Sequence, residues 1–294
     1  MHVVILGANG QLGSLLVRSV PNSVKVSAYT SSVLDISNSA SVARVLNKVK
    51  PDLVINAAAY TAVDKAETEQ DKAFAVNHAG VINLIENTGP QTGIIHVSTD
   101  FVFDGNANTP YLPDSPVNPV GIYGASKLKG EQALTALAPD RSWIIRTAWL
   151  YAAEGKNFFN TMLHLMGTRE QLGVVADQKG TPTSAHTLAR VIWMFAEKQP
   201  GYGIYHWTDQ GEAGWFDFAC EIQKQGLEAG FLDKGIPIKP LTTADYPTPA
   251  KRPSYSVLDK SSTRVAIGYQ GRPWQEELQE VINIKSEQAA SKES

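Results

Sequence analysis

The chain opens on His2-Val-Val-Ile-Leu-Gly7-Ala8-Asn9-Gly10-Gln11-Leu12-Gly13, an apolar run that breaks into three glycines spaced three apart. That order predicts a buried strand, a tight turn, and a helix whose free N–H groups face the turn. Glycine lets backbone approach a pyrophosphate with no side chain between them, and a helix N-terminus favours negative charge. The spacing is G-x-x-G-x-x-G rather than the G-x-G-x-x-G of the commoner dinucleotide fingerprint. A bland turn is the competing reading. The amphipathic segment that follows, with Leu12, Leu15, Leu16 and Val20, argues against it.

Working outward, apolar runs at His2–Leu6, Val24–Tyr29, Leu53–Asn56, Ile94–Ser98 and Trp143–Arg146 read as strands. Between them, helical patterns fall at Gln11–Val20, Ser39–Val49, Asp64–Thr88 and Tyr123–Ala138. Strands without polar alternation, separated by helices, predict an α/β fold: a Rossmann-like, doubly wound parallel sheet covered on both faces. After residue 150 the rhythm loosens, with helical patterns at Asn157–Thr168, Ala185–Lys198 and Trp215–Gly226 between Gly- and Pro-rich stretches. The expected organisation is therefore a dinucleotide-binding core over residues 1–150 and a smaller, mainly substrate-binding region over 151–284. Some segments of that region return to the core, and 285–294 forms a flexible polar tail.

Composition narrows the function. A length of 294 residues with 43% hydrophobic content supports a substantial core, and a net charge of −3 gives no electrostatic reason to expect nucleic acid as a partner. The single cysteine, Cys220, excludes an intramolecular disulfide and any cysteine-rich metal site. No basic-then-apolar leader precedes the first strand, and no apolar stretch is long enough to span a bilayer, so the chain reads as cytoplasmic with no membrane partner.

Three strand or helix ends carry groups with chemistry. Tyr123 and Lys127, four apart, share a helical face, where an ammonium close to a phenol would lower the phenol's pKa towards neutrality. Ser98, Thr99 and Asp100 stand at the C-terminal end of a strand, where open α/β sheets bind their ligands. Asn56-Ala57-Ala58-Ala59 ends another strand in small residues that leave room for a flat cofactor. His96, inside an apolar strand, reads as a buried and satisfied histidine. His186 has no second ligand at metal spacing, so no metal is expected. The aromatics Trp193, Phe195, Tyr202, Tyr205 and Trp207 read as core, and Asp64 as part of a solvated helix start.

Glycine turn, Asn-Ala-Ala-Ala, Ser-Thr and Tyr-x-x-x-Lys in this order resemble an extended short-chain dehydrogenase/reductase. More narrowly, the chain resembles the dTDP-4-dehydrorhamnose reductase family. That likeness rests on Gly7–Gly13, Asn56–Glu67, Ser98–Gly105, Tyr123–Glu131, Arg146–Tyr151, Asp177–Thr183 and Arg252–Asp259. It implies hydride reduction of the 4-keto group of a dTDP-linked 4-dehydro-6-deoxyhexose. Tyr123 would protonate the alkoxide, Thr99 would hold the carbonyl oxygen, and Lys127 would bind the nicotinamide ribose. Together with Gly7 and Gly13, Asn9, Gly10, Gln11 and Leu12 would cradle the pyrophosphate. Asp35 and Ile36 would meet adenine, and Ala57, Ala58 and Ala59 would line the cleft. Asp100, Trp149, Asn160 and Arg252 are the expected substrate contacts.

The chain departs from the pattern in places. The second strand ends Ala28-Tyr29-Thr30-Ser31-Ser32, with neither an acid for a ribose 2′-hydroxyl nor an arginine for a 2′-phosphate, so the cofactor reads as NADPH or NADH, with NADPH preferred. Ser14 and Ala185-His186 stand where some relatives carry glutamates for a magnesium-bridged dimer. A homodimer stays open, and a metal-bridged one is disfavoured. Phe101 replaces a common tyrosine. A reductase of another nucleotide-linked 4-keto-6-deoxy sugar, a dehydratase or epimerase, and a non-catalytic regulatory subunit of the same fold are the competing readings.

Overall fold

Six parallel strands form one sheet in the computed structural model, which describes residues 1–293. They are β1 (His2–Leu6), β2 (Lys25–Tyr29), β3 (Leu53–Asn56), β4 (Gly93–Thr99), β5 (Ser142–Thr147) and β6 (Gly203–His206). Their spatial order is β2-β1-β3-β4-β5-β6, so the winding reverses between β1 and β3. A ligand crevice opens at such a reversal, outside the carboxyl ends of the strands. Val3, Val4, Ile5 and Leu6 are essentially inaccessible, as are Leu53, Val54 and Ile55. Each such side chain contributes about 1.5–3 kcal/mol on burial, and two-sided coverage explains the unbroken apolar runs.

The longer helices are α1 (Gln11–Arg18), α2 (Ser39–Val49), α3 (Ile122–Leu137) and α4 (Phe158–Thr168). They are followed by α5 (Ala185–Lys198), α6 (Trp215–Glu228), α7 (Ser261–Ile267) and α8 (Trp274–Glu293). The predicted helix over 64–88 is broken instead. It comprises Val63–Ala66, Gln70–Phe74, a π turn at Ala75–Ala79, and Gly80–Glu86. The π turn places buried Asn77 where its amide oxygen accepts from Tyr60 N–H at 2.9 Å. Its amide nitrogen donates to Tyr60 C=O at 3.1 Å and to Ser126 Oγ at 2.9 Å. One side chain thus ties the loop after β3 to α3, a tertiary demand that overrides helical periodicity.

The segments that return to the sheet are α5 and β6. Leu188, Ile192, Trp193, Phe195 and Trp207 pack with β1, β3 and β5 in one cluster. A second core joins α4, α6 and α8 around Phe159, Phe218, Ile222, Trp274 and Leu278. Residues from 285 onward, expected as a flexible polar tail, continue α8 as helix to Glu293, with Lys285 donating to the Ala153 carbonyl at 3.2 Å. Among the described residues, no helix is long and apolar enough to cross a membrane.

Candidate active site

The crevice between β1 and β3 is floored by backbone. Gly7 adopts φ +75°, and a Cβ there would lie 2.8 Å from Ala58 N. A Cβ on Gly13 would lie 2.1 Å from the Gly7 carbonyl oxygen, so the turn and the first turn of α1 close only on glycine. The first N–H groups of α1 have no intrahelical acceptor and face this turn. No acidic residue lies in that first helical turn to oppose an anion. Asn9 and Gly10 are exposed, Ala57–Ala59 half-buried, and Leu12 buried, so Leu12 offers its backbone only. Gln11 Oε1 accepts from Asn157 Nδ2 at 2.9 Å, joining the glycine loop to the chain before α4. A cavity of about 460 Å³ runs from Asn9, Gly10 and Gln11 to Thr61 and Gly155.

At the end of β2 the two expected adenine contacts diverge. Ile36 is buried against β1, α2 and Gly80, whereas Asp35 is exposed and accepts from Ser37 N–H at 2.9 Å. The arginine missing from the strand end arrives from α2. Arg44 donates to the Val33 carbonyl at 3.3 Å and shares a notch of about 380 Å³ with Ser31, Ser32 and Ser41.

The predicted catalytic residues come from β4 and α3. Thr99 ends β4, its hydroxyl donating to Asp100 Oδ1 at 3.1 Å and accepting from Phe101 N–H at 3.2 Å. Tyr123 lies in the first turn of α3, whose Ile122 N–H is capped by Glu67 Oε1 at 2.9 Å. The Phe101 ring meets the Tyr123 ring at 5.6 Å and 72°, an edge-to-face contact that orients the phenol. Burial pushes the Tyr123 phenol up to about 12, the Thr99 hydroxyl pulling down and the Asp100 carboxylate reinforcing the rise. This corrects the expected acidification by Lys127, which turns elsewhere. Its Nζ donates to the Val97 carbonyl at 2.6 Å and lies 3.2 Å from His96 Nε2, and burial lowers it to about 8. Burial likewise raises Asp100 to about 6, against the Ser256 and Thr99 hydroxyls.

A second cavity, about 480 Å³, is lined by Phe158, Leu165, Leu172, Trp215, Tyr246 and Arg252 among others. Trp149, at the end of β5 with φ 47°, stacks flat on Trp215, centroids 3.5 Å apart at 8°. Gly180 has no room for a Cβ because the Trp149 indole lies 2.6 Å from that position. Arg252 borders the cavity and pairs with Asp64 at 3.0 Å, so Asp64 is a tether rather than a solvated helix start. Asn160 does not join them. Its amide donates to the Ala152 and Gly155 carbonyls at 3.1 and 3.0 Å, beside a different depression.

Sequence reasoning named Thr99, Tyr123 and Lys127 but missed their supports. Glu131, one turn beyond Lys127, binds Arg146 of β5 at 2.7 Å and accepts from Ser98 Oγ at 2.5 Å, all buried. A carboxylate at four-residue spacing from Lys127, with an arginine inside an apolar strand, was the available signal. Trp215 had none, because its stacking on Trp149 spans distant segments.

The chain matches the family model described as RmlD substrate binding domain over residues 1–286. It is 41% identical over 288 residues to a dTDP-4-dehydrorhamnose reductase of Aggregatibacter actinomycetemcomitans, covering 95% of this chain and 98% of that protein. A solved dTDP-4-dehydrorhamnose reductase of Clostridium acetobutylicum superposes with a TM-score of 0.90 at 41% identity, covering 97% and 99% of the two chains. The Bacillus anthracis enzyme, solved in complex with NADP, superposes with a TM-score of 0.89 at 34% identity over 96% and 99%.

Proposed function

Because the chain belongs to the RmlD substrate-binding-domain family of dTDP-4-dehydrorhamnose reductases, we propose that it reduces the 4-keto group of dTDP-4-dehydro-L-rhamnose, giving dTDP-L-rhamnose, with NADPH as reductant. The glycine cradle fits a dinucleotide, since Gly7 and Gly13 leave only backbone where a pyrophosphate must approach. Bound nicotinamide supplies the hydride. This chain's residues do the rest. Thr99 and Tyr123 present two hydroxyls to one point at the carboxyl end of β4, where the carbonyl oxygen gains negative charge. The phenol, held up to about 12, still carries its proton at neutral pH and gives it to the alkoxide. Trp215, backed by Trp149, and Arg252 border the second cavity, which takes the nucleotide half of the substrate, the arginine by its charge and fork geometry.

The reading carries with it a cytoplasmic enzyme whose partner is a small nucleotide-linked sugar, with no bridging metal at Ser14 and His186 if the chain dimerises. The placing of Thr99 at the end of β4 beside Tyr123 in the first turn of α3, with the phenol held edge-on by Phe101, supports it most directly. The test is loss of NADPH absorbance with dTDP-4-dehydro-L-rhamnose, followed by NMR assignment of the product at C4. A 6-deoxytalose product would replace the assigned product, with the hydride delivered to the other face of C4. Cofactor binding without turnover would support a regulatory subunit instead.

A further inference from the structure

His96 is buried beneath the site, and its two ring nitrogens meet different partners. Nδ1 lies 3.0 Å from Asn56 Nδ2, and Nε2 lies 3.2 Å from Lys127 Nζ. Asn56 and His96 are register neighbours on β3 and β4, which is why their side chains meet. The orientation of the Asn56 amide is set by a group that can only donate. Ala58 N–H reaches its Oδ1 at 3.2 Å. The amide NH₂ therefore faces His96, whose Nδ1 must accept, and a neutral imidazole accepting at Nδ1 carries its proton on Nε2.

That Nε2–H points at Lys127. An ammonium there would set two donors against each other. An amine resolves the conflict, its lone pair accepting from His96 while it donates to the Val97 carbonyl at 2.6 Å. An imidazolium would instead oppose Nδ1–H to the Asn56 NH₂. The charged and titratable groups around the pair are few. From α3, Glu131 favours the ammonium but is itself held by Arg146 of β5, while Tyr123 lies one turn away, and Asp100 follows β4. Burial outweighs Glu131 and brings Lys127 down to about 8. Burial, then the charge of Lys127, holds His96 well below its usual range.

We propose that in mildly alkaline solution His96, locked by Asn56 as its Nε2–H tautomer, is a positioning residue that parks Lys127 as a neutral amine against Val97 until a cofactor ribose draws it away, so that dinucleotide binding there is coupled to uptake of a proton by this lysine. The proton comes from solvent, and no other bond changes. In that pH range the ammonium arises only where ribose hydroxyls and the phenol can use it. The ribose step rests on the reductase reading above.

Two measurements on the full chain test it. With ¹⁵N-labelled histidine at about pH 9, the ring signals of His96, assigned by their loss in His96→Gln, are expected to show the Nε2–H tautomer in cofactor-free protein. Calorimetry of NADH binding at the same pH, in two buffers of different ionisation enthalpy, should report uptake of about one proton per chain. NADH has no 2′-phosphate to bind protons of its own. In Asn56→Asp the carboxylate accepts from both Ala58 N–H and His96 Nδ1–H, so Nε2 becomes an acceptor and Lys127 is already charged. Proton uptake should then fall below about half. An Nδ1–H tautomer in the unsubstituted chain, no proton uptake on binding, or unchanged uptake in Asn56→Asp overturns the proposal. Should that variant not fold, the unsubstituted spectrum decides alone. Absence of any NADH binding would count against the reductase reading, and the tautomer would still judge this one.

Discussion

Arg146 and Glu131 meet side by side with Arg146 Nη2 2.7 Å from Glu131 Oε2 and Nε 3.0 Å from Oε1, both side chains at most 3% exposed. The pair fastens the helix of Tyr123 and Lys127 to β5. Arg146 also donates to the Pro113 carbonyl at 3.1 Å and lies over the Phe103 ring at 5.1 Å. Breaking such a pair strands a buried charge, whereas replacing both members need not. Arg146→Met should therefore lower stability by about 3–5 kcal/mol in urea unfolding. The double variant with Glu131→Met should recover much of that loss. If the double variant is as unstable as the single ones combined, the pair is not acting as a unit.

Tyr123→Phe keeps the ring and its edge contact with Phe101 but removes the proton. Loss of one positioned donor costs about a hundredfold or more in rate. Turnover should fall by that much while the NADPH dissociation constant moves less than about threefold, since the lost hydroxyl serves the sugar oxygen. Stopped-flow single turnovers alongside fluorescence titration separate the two. Near-normal turnover would remove the phenol from the mechanism.

Asp100 gives a pH signature in stability. Its carboxyl is raised by burial to about 6 from an ordinary 3.8, so the folded protein binds that proton more tightly than the unfolded chain. The contribution is fully present below about pH 4 and is lost as pH rises through about 6, a difference of about 3 kcal/mol by linkage. Asp100→Asn keeps an acceptor for Thr99 and cannot ionise. Unfolding free energies of the two proteins, compared between pH 4 and pH 7, should diverge in favour of the asparagine as pH rises. Parallel curves would mean the carboxyl is solvated.

The sheet was legible because coverage on both faces makes strands continuous apolar runs, as in Val3–Leu6 and Val54–Ile55. The helix from 64 to 88 was not, because its π turn answers to the distant Tyr60 and Ser126. Asn160 lies away from the cavity of Trp215 and Arg252 for a reason visible in the sequence. Phe158, Thr161, Met162 and Leu165 line the cavity at helical spacing, and Asn160, about 200° from Phe158, lies off that face. The His96–Lys127 contact joins a strand residue to a helix residue 31 positions away, a separation that no local pattern marks.

Arg44 is exposed on α2 and borders the notch with Ser31 and Ser32, where a ribose 2′-phosphate would lie beyond β2. A charge-assisted hydrogen bond there is worth about 1.5–3 kcal/mol, towards the lower end where solvent competes. Arg44→Ala should raise KM for NADPH about tenfold and leave KM for NADH within about twofold. Equal effects on both cofactors would mean that the arginine supports only the Val33 loop.

Trp215 stacks on Trp149 at one wall of the cavity bordered by Arg252 and touches the Phe158 ring at 4.7 Å, so one indole face is supported by protein. Stacking of a nucleobase on an aromatic side chain is worth about 1–3 kcal/mol. Trp215→Ala should raise KM for the sugar nucleotide about tenfold or more, while the NADPH dissociation constant stays put, because the cofactor groove lies across the β1–β3 crevice. Trp215→Phe, which keeps a flat face, should restore most of the affinity. If phenylalanine rescues nothing, the ring acts by holding Trp149 in its left-handed backbone conformation. The loss would then appear in kcat as well as KM, since Trp149 follows directly from the strand beside Thr99.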